Sequence, residues 1–210
     1  MLTFHATKKA YAHDPILEIP ALHLEEGVYW LQGKNGSGKT TLLRMIAGMT
    51  PFEGDIIFKD ISQHKHPLLY RKNLSWAEAE PLYPPFITGN DLVLYYQEIR
   101  KAPDPEIDKL IAFSGLRKEL ANPIGTYSSG MVKRLSLLLA FIGHVPLILL
   151  DEPLSTLDAE AVHTLPGLMN EYKQKHGVSF IFTSHQPFVS DTLAIDKELV
   201  LADHTIHMTV

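Results

Sequence analysis

The stretch Val28–Thr41, VYWLQGKNGSGKTT, decides how the chain is read. VYWLQ is a short apolar run with the composition of a strand. TTLLRMIAG, from Thr40 to Gly48, has apolar residues at helical spacing. Between them, GKNGSGKT (Gly33, Lys34, Asn35, Gly36, Ser37, Gly38, Lys39, Thr40) matches G-x-x-x-x-G-K-[ST] in full. A strand, a glycine-rich loop and a helix in this order form a phosphate cradle. Gly33, Gly36 and Gly38 let the backbone curl with its N–H groups pointing inward at an anion. The helix N-terminus adds a positive field. Lys39 can reach β- and γ-phosphates, the Thr40 hydroxyl can ligate Mg²⁺, and Thr41 can add a hydrogen bond to phosphate.

On the N-terminal side, LTFHATKKAY and ILEIPALHL read as strands, and on the C-terminal side GDIIFKDI and NLSWA follow. From about Ala79 to Gly143 the pattern turns helical, with GNDLVLYYQEIRK and DPEIDKLIAFSGL separated by Ala102-Pro103. VPLILLDEP and VSFIFTSH are continuous apolar runs, as in strands buried on both faces. AEAVHTLPGLMNEYKQKHG is a helix with an expected break at Pro166. ELVLAD and TIHMTV close the chain as an expected hairpin. The alternation predicts an α/β fold: a phosphate-loop core with a mostly parallel sheet, an N-terminal antiparallel β subdomain and an inserted α-helical subdomain. We expect a single domain over 1–210, with 1–77 and 146–210 as core and 78–145 as the helical insertion.

Composition narrows the function classes. The chain of 210 residues is 45% hydrophobic and 20% charged, the balance of an ordinary globular protein with a large core. The net charge of −5 argues against a general nucleic-acid-binding surface. With no cysteine there can be no disulfide and no thiolate metal site. MLTFHATKKAYAHD lacks the apolar core of a signal peptide. No run approaches the ~18 apolar residues of a membrane span. If the protein acts on a membrane, another polypeptide must supply the membrane part. The histidines of HKH, His64 to His66, read as surface residues.

LILLDEP puts Asp151 and Glu152 at the end of a buried strand, the end that faces the ligand crevice in a parallel α/β sheet. Asp151 can hold the Mg²⁺ of a bound nucleotide, directly or through water. Glu152 then stands beside the γ-phosphate, where a carboxylate can act as general base on water.

With GKNGSGKT, YSSGM and LILLDEP in this order, the chain resembles the ATPase subunits of ABC (ATP-binding cassette) transporters over essentially its whole length. The resemblance implies roles for further residues. Tyr127-Ser128-Ser129-Gly130-Met131 is similar to the family's signature L-S-G-G-Q, with Ser128 and Gly130 keeping the functional types. Such a loop would contact the γ-phosphate bound by a second subunit. Ser128 or Ser129 can equally serve as a plain helix N-cap, and both roles can hold together. LSTLD resembles the family's D-loop, so Asp158 would cross the dimer interface near the partner's phosphate loop, or would cap the following helix. His185 matches the switch histidine that orients the attacking water. Tyr11 resembles the aromatic residue that stacks on adenine.

One place departs from the family. Its usual glutamine, which reaches Mg²⁺ and water, is absent from LSWAEAEPLYPPFITGNDL. Alignment from the strand puts Ala79 there, and alignment back from EPLYPP puts Glu78 there as a candidate metal ligand. EPLYPPFI, too rich in proline for a helix, is read as a surface loop facing the membrane partner.

The resemblance implies ATP and Mg²⁺ as ligands. It also implies an integral membrane subunit on a separate chain, a second copy of itself or a homologous ATPase subunit as head-to-tail partner, and a peripheral place on the cytoplasmic face of the membrane. No nucleic-acid partner is expected. Rival readings are a soluble ABC-type ATPase of DNA repair or regulation, a ribosome-acting cassette protein, and a small phosphate-loop kinase. The first usually carries coiled coils or basic surfaces, the second usually two cassettes, and the third has no use for YSSGM or LSTLD.

Overall fold

In the computed structural model, all residues are described except 13, 185–190 and 210; at 159, 160 and 209 only the backbone is. The chain begins with a long hairpin, β1 (Leu2–Tyr11) against β2 (Asp14–Leu24), followed by β3 (Val28–Gln32) and helix α1 (Lys39–Ile46). Then come β4 (Glu53–Phe58), the two-residue β5 (Ile61–Ser62), helix α2 (Pro67–Lys72) and β6 (Leu74–Ala77). Three helices follow: α3 (Gly89–Arg100), α4 (Asp104–Ser114) and α5 (Ser129–Phe141). The chain closes with β7 (Leu147–Leu150), α6 (Ala159–His176), β8 (Ser179–Thr183) and the hairpin of β9 (Lys197–Ala202) with β10 (Thr205–Thr209).

These strands make two sheets. One is antiparallel, in the order β2-β1-β4-β5. The other runs β10-β9-β3-β8-β7-β6 and is parallel except at its edge strand β10. The α/β class, the N-terminal antiparallel sheet, the mostly parallel second sheet and the closing hairpin are therefore as expected.

Two cores hold the layers together. In the first, Leu42, Leu43, Met45 and Ile46 of α1 pack with Leu2, Phe4, Ile56 and Phe58 of the antiparallel sheet and with Tyr29, Leu31, Leu149 and Ile181 of the parallel one. An isolated helix of 8 residues would not persist in water. Burying four apolar side chains, at roughly 1.5–3 kcal/mol each, more than offsets that weakness. In the second core, Ile148, Leu150, Phe180 and Phe182 of the same sheet meet Leu135, Leu138 and Leu139 of α5 and Leu165, Met169 and Tyr172 of α6. Alternate residues of β7 enter opposite cores, Leu147 and Leu149 one and Ile148 and Leu150 the other. This is why LILL is an unbroken apolar run.

Two local findings differ from the sequence reading. Pro67–Lys72, just after HKH, forms a short helix with Pro67 in its first turn. Its buried Tyr70 donates to the Ile46 carbonyl at 2.9 Å, tying α2 to the end of α1. Six residues give too few turns for a periodic signal. The expected break at Pro166 does not occur: α6 runs unbroken through Pro166 for 18 residues. Asp158 caps its start and Gly177, with φ +64°, ends it. Leu165, Leu168, Met169 and Tyr172 are buried on both sides of the proline, and that packing holds the helix through the missing hydrogen bond. Pro166→Ala restores a backbone donor without enlarging the core. It is expected to raise unfolding stability by about 1–3 kcal/mol in urea titration. A fall in stability would mean that the proline is itself required by the packing.

Candidate functional site

β3, β7 and β8 are parallel neighbours in the order β3-β8-β7, so their C-terminal ends open on one side of the sheet. The loop after β3 and the residues after β7 meet there around a cavity of about 380 Å³. Its walls include Asn35, Gly36, Lys39, Thr40, Asp151 and Glu152. The two segments that the sequence singled out, more than a hundred positions apart, thus face one space.

The loop is held open by its own backbone. Gly38, with φ +102°, ends it as the N-cap of α1, and a Cβ there would stand 2.9 Å from the Ile16 side chain. Both the left-handed conformation and the close approach demand glycine. Lys39 is nearly buried, and its ammonium donates to the carbonyls of Gly33 at 2.8 Å and Lys34 at 3.2 Å. The lysine thus lies folded over the loop, with its charge at the cavity wall.

Asp151 is 1% exposed, and its carboxylate is satisfied from two sides. The Thr40 hydroxyl donates to Oδ2 at 2.7 Å and the Thr183 hydroxyl donates to Oδ1 at 2.7 Å. Thr183 in turn accepts from the Glu152 N–H at 2.8 Å. One side chain at the end of β8 therefore fixes both acidic residues. A hydroxyl and a carboxylate oxygen side by side are hard donors of the kind Mg²⁺ takes, so the residues present fit that ion. Glu152 lies on the cavity wall with φ +46°, a conformation uncommon for a residue with a side chain.

The signature stretch starts α5. The Ser128 hydroxyl accepts from the Met131 N–H at 3.2 Å, and the Ser128 N–H points to Met131 Sδ at 3.5 Å. Met131 thus takes the reciprocal place of a capping box. Gly130 is dictated by proximity: a Cβ there would stand 2.9 Å from the Thr156 carbonyl in the loop before Asp158. Asp158 caps α6, accepting from the Ala161 N–H at 2.9 Å, and its other oxygen pairs with Arg134 of α5. Within this chain the signature stretch and the LSTLD loop are therefore joined by a backbone approach and an ion pair.

Other expected residues are placed as follows. Tyr11 ends β1, half exposed, with the Lys9 ammonium 4.6 Å above its ring. Ile16, on the neighbouring strand, stands on the cavity wall. Glu78, expected as a metal ligand, has its carboxylate 3.3 Å from Arg44 of α1, and Ala79 is on the cavity wall. His185 lies outside the described residues.

Three residues escaped the sequence reading. Thr183 is a polar residue ending an apolar strand, SFIFT, and that position was its only signal. Lys133 and Arg134 are adjacent charges on the otherwise uncharged α5. Lys133 is 1% exposed, and burial brings its pKa down to about 8, against the opposing pull of Asp151, Glu152 and Glu78.

A phosphate loop facing an acidic strand end, beside a helix begun by a serine-capped SSG, defines a nucleotide-binding cassette of the α/β class. Residues 20–155 match the family model of the ABC transporter, and the chain belongs to that family. It is 34% identical over 179 residues to the cytochrome c biogenesis ATP-binding export protein CcmA of Legionella pneumophila (strain Lens), covering 84% of this chain and 88% of that protein. It is 30% identical over 191 residues to the ABC transporter ATP-binding protein YxlF of Bacillus subtilis (strain 168), covering 88% of this chain and 62% of that one. The fold is similar to a solved ATP binding subunit of an ABC transporter, with TM-score 0.88 and 22% identity, covering 100% of this chain and 89% of that one. It is also similar to a dimeric ATP-binding cassette in a post-hydrolysis state bound to ADP and phosphate, with TM-score 0.85 and 18% identity, covering 100% of this chain and 98% of that one.

The positive φ of Glu152 carries its own prediction. Glu152→Gly, which removes the Cβ that disfavours this conformation, is expected to keep unfolding stability or raise it by about 1 kcal/mol. Glu152→Val, with a branched Cβ, is expected to cost about 1–3 kcal/mol in the same urea titration. Equal destabilisation by both would show that the backbone at this position holds no strain.

Proposed function

We propose that this chain is the ATP-hydrolysing subunit of a membrane transporter, working as a head-to-tail dimer. The observation that carries the reading is the single cavity shared by Lys39, Thr40, Asp151 and Glu152. A cationic glycine loop, a hydroxyl–carboxylate pair and a second carboxylate in one space are the parts that nucleotide hydrolysis needs. ATP phosphates lie on the loop N–H groups, and Lys39 exchanges its carbonyl partners for phosphate oxygens. Thr40 and Asp151 would hold Mg²⁺, which when bound would supply charge neutralisation at the phosphates. Glu152 takes a proton from the attacking water, and His185 orients that water. Catalysis is then mostly positioning and charge stabilisation.

Ser128, Ser129 and Gly130 of a second copy close the site over the γ-phosphate, and the helix start supplies N–H groups for the anion. We take Tyr11 and Ile16 to bound the adenine, and Asp158 to shape the dimer face through its clasp on Arg134. The helical unit, which we place at 78–145, carries the contact with the membrane subunit. Leu82 is 92% exposed and Phe86 79%, in the proline-rich loop, and Leu94, Tyr95 and Ile99 are exposed on α3. Such an apolar surface fits a partner better than water. Among the described residues no helix is long and apolar enough to cross a membrane. We assign the membrane part to a separate chain. The export proteins among the relatives favour export as the direction.

The test uses Glu152→Gln. It is expected to bind ATP, to hydrolyse it about 10²–10⁴-fold more slowly, and to elute as a dimer in gel filtration only with ATP and Mg²⁺. A variant that stays monomeric at saturating ATP excludes the shared site for the isolated subunit. Co-purification with an integral membrane protein in detergent separates the transporter subunit from a free-standing ATPase.

A further inference from the structure

Lys133 is a buried charge that the site described above does not use. It lies on α5, in the turn after the Ser128 cap. Its ammonium donates to three backbone carbonyls: Glu78 at 2.7 Å, Ala79 at 3.3 Å and Asp151 at 2.7 Å. That fills the donor capacity of an ammonium group. All three acceptors lie just past the C-terminal ends of the neighbouring parallel strands β6 and β7, where the cavity opens.

We propose that Lys133 is a positioning residue for ATP hydrolysis, pinning segment 78–79 to the end of β7 and fixing the peptide from which Glu152 projects. The proposal rests on the ATPase reading of the cavity. The geometry of that peptide supports it. The Asp151 carbonyl accepts from Lys133, and the N–H of the same peptide unit, on Glu152, donates to Thr183 at 2.8 Å. The peptide plane is therefore gripped at both ends. Its orientation decides where the Glu152 side chain points, and Glu152 holds a left-handed φ that persists only if its surroundings determine it.

The segment after β6 supports it too. The Glu78 carboxylate is on Arg44, and Ala79 has only a methyl group, so the hydrogen bonds from this segment to Lys133 are made by its backbone. Because Lys133 sits on the helix that begins with Ser128-Ser129-Gly130, a shift of that helix start is passed to the Asp151–Glu152 peptide and to the cavity wall at Ala79.

The test compares hydrolysis and nucleotide binding on the purified full chain, with a fluorescent ATP analogue for binding. Lys133→Met keeps the length of the side chain and removes its donors. It is expected to lower kcat by about tenfold or more while Kd for the nucleotide changes by less than about threefold. The chain has no cysteine, so Lys133→Cys places a single thiol at this position. Alkylation of the unfolded variant with 2-bromoethylamine, followed by refolding, restores an ammonium at nearly lysine's reach. That protein is expected to regain most of the hydrolysis, and the same variant alkylated with iodoacetamide is not. The proposal is overturned if Lys133→Met hydrolyses ATP within about twofold of wild type. It is equally overturned if kcat and nucleotide affinity fall together, or if only the aminoethylated protein refolds, since either result makes the role purely structural. A wild-type chain that hydrolyses no ATP would instead overturn the ATPase reading itself.

Discussion

The buried carboxylate of Asp151 is the constraint around which the site is arranged. An ion removed from water costs several kcal/mol unless its lone pairs are met. Two threonine hydroxyls meet them, one from the phosphate loop and one from β8. Hydrogen bonds to a charged group contribute roughly 1.5–3 kcal/mol each, enough to offset most of that cost. The consequence is geometric. Satisfying one carboxylate brings the start of α1, the end of β7 and the end of β8 to fixed separations. The cavity lies among those three.

The fold supplies the rigidity that this needs. α1 is too short to stand alone, and it is a helix because both sheets bury it. The phosphate loop is thus mounted on a helix enclosed between the two sheets, while α5 and α6 pack on the opposite face of the parallel sheet. The alternating residues of β7 serve both faces, so the strand that ends in Asp151 is fixed by both cores at once.

This division explains what was legible in the sequence. The phosphate loop, the acidic strand end and the order of strands and helices rest on local patterns, and each was read in place. Pro166 misled because local chemistry favours a break while the burial of Leu165, Leu168 and Met169 overrides it. α2 left no signal because its six residues complete too few turns. Thr183 and Lys133 were missed for another reason. Their roles consist of bonds to residues 32 and 18 positions away, and no periodicity records such contacts. Glu78 and Ala79 could not be told apart by spacing, because the question is which of two adjacent side chains turns to Arg44 and which to the cavity.

α5 touches each part of this arrangement. Its first residues form the serine cap. The next turn carries Lys133, which holds the peptide beneath Glu152, and Arg134, which holds Asp158. Gly130, in the first turn, lies against the Thr156 carbonyl, so the helix start also abuts the loop that leaves Glu152. A helix whose next turn grips the acidic strand end cannot shift at one place only. A displacement of its start would act on the backbone around Asp151 and Glu152 through these contacts. That mechanical link is short and made of three named contacts.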